Sequence, residues 1–156
     1  MNLDYDMGTG RNELMWKISH DEETEEEVIE EINKCSDVNY TDAGGFSYLD
    51  FAALNHKTKI IKALLEKGAN PNGLPLEKGT SRNGFPKKRN VAILYALGSK
   101  NPKNPEILKL FLEYGVDLDI VVNGMSIREV IDSFDDCSDQ PVYRPIIEEF
   151  EANKSR

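Results

Sequence analysis

Apolar positions in this 156-residue chain recur as pairs of short helical stripes. The order is sharpest between Asp42 and Asn72. Leu49, Ala52 and Ala53 fall at i, i+3 and i+4, which predicts a short helix with one narrow apolar face. Asn55-His56-Lys57 interrupts the pattern. Ile60, Ile61, Leu64 and Leu65 then form the stripe of a second helix. Gly45 predicts a tight turn that needs a positive φ angle. Ser47 is placed to cap the first helix and Thr58 the second. Gly68 predicts an αL stop, and Asn70-Pro71 resists further helix.

The same order returns elsewhere. Glu13–Ser19 and Glu25–Lys34 form one pair, the latter carrying Val28, Ile29 and Ile32, with Thr24 as its cap. Val91–Leu97 and the helix beginning near Glu106 form another, ending at Gly115. A further copy opens at Gly124-Met-Ser-Ile-Arg-Glu-Val-Ile131, and a last amphipathic helix is predicted over about 142–153. The repeats are thus placed at about 13–39, 42–72, 90–119 and 123–137, with an insertion at 73–89 and a C-terminal capping helix. Cys35 replaces the stop glycine of the first copy. Extra length lies in 73–90 and, to a smaller extent, in Gly98–Pro105, and insertions of this kind map to loops on one face, often the binding face.

These blocks resemble the ankyrin repeat. Gly45-Phe-Ser-Tyr-Leu-Asp-Phe-Ala-Ala53 is similar to the family's first block, and Ile60-Ile-Lys-Ala-Leu-Leu-Glu-Lys-Gly-Ala-Asn-Pro-Asn72 to its second. Tyr48 and Asp50 depart from the family's Pro and His, and Arg128 stands where it has Leu. The resemblance implies one all-α domain, a short solenoid of about four helix-turn-helix repeats with β-turn fingers. Terminal units of a solenoid need a polar outer face. It also implies a non-enzymatic protein-interaction module. Phe51, Leu54 and Asn55 occupy positions that face the concave groove in the family, with Tyr95 and Ser99 as counterparts one repeat later. Phe51 and Tyr95 read either as groove anchors or as core, and Trp16 reads as core.

Charge sharpens the picture. The chain carries 19 basic and 28 acidic residues, net −9. Residues 1–72 are net −8, residues 73–109 net +6 and residues 110–156 net −7, so a basic island lies between two acidic ends. Overall acidity argues against nucleic acid as a partner, because phosphate must be neutralised. It favours a protein partner of basic character. One form of that expectation is an immunity protein that neutralises a basic toxin such as a nuclease; a regulatory adaptor is the other. Within the island, Phe85 with Lys87, Lys88 and Arg89 reads either as a partner contact or as a solubilising loop. The acidic run Asp21–Glu27 reads as a helix start favoured by the dipole, and also as an exposed docking face.

No apolar run approaches the roughly 18 residues of a membrane span. The first residues lack the features of a signal peptide, and the two cysteines stand far apart, so a reduced, cytoplasmic setting and a monomer are expected. His20 and His56 fall in inter-helix loops without a carboxylate or cysteine pattern, so no metal is expected. No glycine-rich phosphate loop follows a strand, and no nucleophile arrangement is spaced for catalysis. Neither a cofactor nor an enzymatic activity is expected.

Overall fold

Two parallel rows of helices build the molecule in a computed structural model that describes residues 10–73, 90–122, 124–137 and 140–154. The first row holds α1 (Glu13–Ser19), α3 (Tyr48–Leu54), α5 (Ala92–Leu97) and α7 (Ile127–Asp136). The second holds α2 (Glu25–Lys34), α4 (Thr58–Glu66), α6 (Asn104–Glu113) and α8 (Tyr143–Lys154). Each inner helix packs on the next inner helix and on its own outer partner. Ala52, Ala53 and Ala96 are fully buried, and their small side chains let α3 and α5 approach closely. Ile61, Leu64, Ile107, Leu108 and Phe111 fill the layer between the rows.

Local chemistry sets most helix starts. Asn12 caps α1 by accepting from the Met15 N–H at 3.0 Å, and Thr24 caps α2 through the Glu27 N–H. Three glutamates in the first turn of α2 complement the positive end of its dipole. Ser47 and Asp50 form a reciprocal capping box on α3. Asp50 therefore replaces the family's histidine with a network of its own. Its Oδ2 accepts from the Ser47 N–H at 2.9 Å, while Ser47 Oγ accepts from the Asp50 N–H at 3.2 Å. Thr58 is not the cap expected from sequence. Lys57 takes that position without a side-chain bond, and Thr58 starts α4 with its Oγ1 buried and unpartnered. The hydroxyl lies one residue too far along the chain to reach the free N–H groups.

Turns end the helices as their sequences require. Gly68 has φ +106° and Gly45 φ +85°, both in the left-handed region. His56 takes φ +53° in the turn between α3 and α4, and donates from Nε2 to the Ala96 carbonyl at 2.8 Å. That bond ties one unit to the next.

The recurring Asp/Asn-x-Asn/Asp ending has a definite function in the stack. Asp37 accepts from the Asn39 N–H, Asn70 from the Asn72 N–H and Asp117 from the Asp119 N–H. The second residue then reaches forward. Asn39 donates to the Gly68 carbonyl and accepts from the Asn70 N–H. Asn72 donates to the Gly115 carbonyl and accepts from the Asp117 N–H at 2.5 Å. In the last copy Asp119 accepts from Arg128 instead.

The last pair refines the expected boundary. Ile127, not residue 128, fills the core, and Arg128 lies at the surface between Asp119 and Glu151. A short antiparallel hairpin of β1 (Val121–Val122) and β2 (Met125–Ser126) forms a finger before α7. The C-terminal helix, read as a separate cap, packs on α6 and α7 in the place that outer helices take in the earlier pairs. Asp135 of α7 holds its start, accepting from the N–H groups of Val142, Tyr143 and Arg144 at 2.7–3.0 Å.

Candidate protein-binding surface

The finger before α3 shapes one end of the inner-helix face. Asp42 is buried, and its Oδ1 accepts from the Gly44 and Phe46 N–H groups at 2.9 Å. A backbone bridge pairs Thr41 with Ser47. Arg11 donates from Nε to Asp42 Oδ2 at 3.2 Å and lays its guanidinium over the Phe51 ring, 5.2 Å from the centroid. Phe46 stands between two other rings, 5.8 Å from Phe51 and 5.6 Å from Tyr95.

The groove residues expected from sequence therefore separate into distinct roles. Phe51 is 8% exposed and joins the core beneath Arg11 and Phe46, so it is not an open anchor. Leu54, one turn on, is 50% exposed. Asn55 turns its amide back to the Phe51 carbonyl at 2.8 Å. Tyr95 is half-buried and donates to Asn90 Oδ1 at 2.7 Å, and the Asn90 amide donates to the Gly44 carbonyl. Ser99 is exposed, with its Oγ 3.4 Å from His56 Nε2. Phe85, Lys87, Lys88 and Arg89 lie outside the described residues.

Phe46, Arg11 and Asn90 were not singled out from sequence. Asp42-Ala-Gly-Gly does carry an Asx-turn signal for the finger. Arg11 and Asn90 are joined to it only by folding, across 31 and 46 residues.

Burial changes the acid–base character beneath this surface. Asp50 is 4% exposed, and burial pushes its carboxyl up to about 6 against the opposing bonds from Ser47. Tyr95 is pushed up to about 12, first by burial and then by the negative charges of Asp50 and Asp42. Tyr48 is also raised by burial, and its hydroxyl accepts from the Asn12 amide.

The first pair of helices presents acid to solvent. Lys17 meets Glu31 at 2.7 Å, Glu23 at 2.9 Å and Glu13 at 3.5 Å, and these hydrogen bonds hold its ammonium above the usual lysine range. Asp21 pairs with Lys57, which holds its carboxyl below the usual range. Glu22, Glu25, Glu27 and Glu30 make no ion pair among the described residues. Trp16 is partly exposed and stacks on His20 at 4.3 Å; Met15 and Ile18 are the buried residues of α1. The core reading of Trp16 fails because its position on α1 turns toward the following loop. His20 donates from Nδ1 to the Trp16 carbonyl, and His56 faces the next unit, so neither stands in a group of three His, Cys, Asp or Glu among the described residues.

Residues 44–74 match the family model of the ankyrin repeat. No curated protein matches the chain. The matched unit is α3 with α4 and its finger, and a mostly helical stack around it is consistent with a short all-α ankyrin-like fold. Ankyrin repeats typically serve as protein–protein interaction modules. No helix among the described residues is long and apolar enough to cross a membrane.

Proposed function

We propose that this ankyrin-repeat chain is a non-enzymatic module that binds a partner protein across the inner-helix face and its fingers. The observation that carries the proposal is the exposed Leu54 beside the Phe46–Tyr95 ring pair. An exposed aliphatic side chain next to half-buried rings offers apolar area at small entropic cost, as interface anchors do. Around it, Arg11, Asn55 and Asn90 are held by bonds within the protein, which supports a pre-organised surface. Phe51 supports the rings from below and contacts no partner. Ser99 and Lys87–Arg89 with Phe85 belong to the same proposed surface, as further contacts at its edges. The protein acts as a cytoplasmic monomer in this reading and requires neither nucleic acid nor a cofactor.

The test is Leu54→Arg. A partner recovered from the native cell should lose at least tenfold in affinity, with the helical spectrum unchanged. Undiminished binding would remove the inner-helix face from the interface.

A basic partner is favoured by the net charge of −9 and by the glutamates of α2 that have no ion pair. A toxin of the nuclease type, neutralised by direct contact, is the more specific form of this reading. Its affinity should fall as salt rises from about 50 mM to about 500 mM, because exposed charges are screened. Co-expression should restore growth to cells carrying a toxin encoded beside this gene. An affinity indifferent to salt would count against the basic partner, and unrelieved toxicity against the toxin.

A further inference from the structure

Away from the finger end, the lengthened connection between α5 and α6 forms one wall of a cavity of about 540 Å³. The opposite wall is the end of α7 and the start of α8. Leu97, Pro102, Pro105, Phe134, Val142 and Tyr143 give it an apolar lining. A volume of this size lies within the range of small-molecule sites, about 300–1,000 Å³.

One polar group distinguishes the cavity from a packing gap. Asn104 lines it and is 2% exposed. Its amide nitrogen donates to the Ser99 carbonyl at 2.7 Å and to the Tyr143 hydroxyl at 3.0 Å. Both partners line the same cavity. Its Oδ1 is buried and accepts from no group among the described residues. A buried acceptor without a donor is costly, and native proteins leave few of them. The amide cannot simply flip, because the Ser99 carbonyl needs the NH₂ side. The arrangement thus combines an apolar chamber with one fixed acceptor in its wall.

We propose that this cavity binds a small neutral aromatic molecule that carries one N–H or O–H donor, of the indole or phenol class. The ring would fill the apolar space, and its donor would satisfy Asn104 Oδ1. A charged ligand fits less well, because the Asp135 carboxylate is already committed to the start of α8. Displacing loosely held water from apolar walls favours binding. The site is independent of the inner-helix surface and does not require that a protein partner bind there.

The probe is indole, titrated into the isotope-labelled full chain. Amide shifts should move at Ser99–Asn104 and Phe134–Tyr143, with a dissociation constant on the order of a millimolar or below. 1-Methylindole, which keeps the ring but lacks the donor, should bind about tenfold more weakly. Val142→Trp, at an exposed position on the cavity wall, should fill the space and abolish the shifts while Asp135 still caps α8. Alkylation of Cys137, an exposed thiol on the same wall, should slow at least twofold with indole, and that of Cys35 should not change. No shift at millimolar indole would overturn the proposal. So would equal binding of 1-methylindole, or shifts that survive Val142→Trp.

Discussion

At the scale of single residues, Asp50 is the most informative side chain. Its carboxylate completes the capping box of α3, yet burial raises it to about 6. The folded state therefore holds a proton that the unfolded chain releases nearer pH 3.8. Between these values the native state binds more protons than the unfolded state, so this group's contribution to stability falls as pH rises. Above pH 6 the loss is complete and constant. A gap of about two units corresponds to roughly 3 kcal/mol. Asp50→Asn removes the titration and keeps an oxygen for the Ser47 N–H. Urea unfolding of the variant should show up to about 3 kcal/mol of added stability at pH 7 and no difference near pH 3.5. A constant offset at all pH values would show that Asp50 is not protonated on folding. The same residue marks a limit of the sequence. An acid at a position where the family has histidine reads there as a lost network, because the reciprocal bonds with Ser47 depend on backbone geometry.

At the scale of elements, the inner and outer helices were legible because each carries its own period and stop. The bounds Glu13–Ser19 and Glu25–Lys34 follow from apolar spacing and from Asn12 and Thr24. Less of the candidate surface was legible. Phe51 and Leu54 both lie on α3, but one is covered and the other exposed, and that difference is made by Arg11 and Phe46. The joints between units were visible as a motif, although their bonds were not. Asn72 shows what a joint contributes. It spans from one unit to the next through the Gly115 carbonyl and the Asp117 N–H. Asn72→Ala should cost about 1–2 kcal/mol, as the loss of two surface hydrogen bonds. Hydrogen exchange should then accelerate first at Val116–Asp119, with α3 still protected. Faster exchange throughout α3 and α4 would mean that the joint holds its own unit together instead.

At the scale of the molecule, stability is a chain of neighbour contacts. Each helix pair buries its stripe only against the pairs beside it, as in a linear array. The last pair is therefore the one with a neighbour on one side only. Its attachment rests on Ile147 and on the three backbone N–H groups held by Asp135. Asp135 is itself buried, so removing its carboxylate leaves those donors without their acceptor and opens space at the end of α7. Asp135→Ala should cost about 2–3 kcal/mol. In a linear array that loss has a place as well as a size. Exchange protection should fall first in α8, then in α6 and α7, which α8 covers. The helices α1 and α2 touch none of these and should keep their protection until the global transition. Equal loss of protection at both ends would show that the stack unfolds as one unit, and the separate joints at Asn39 and Asn72 would then have no independent energetic meaning.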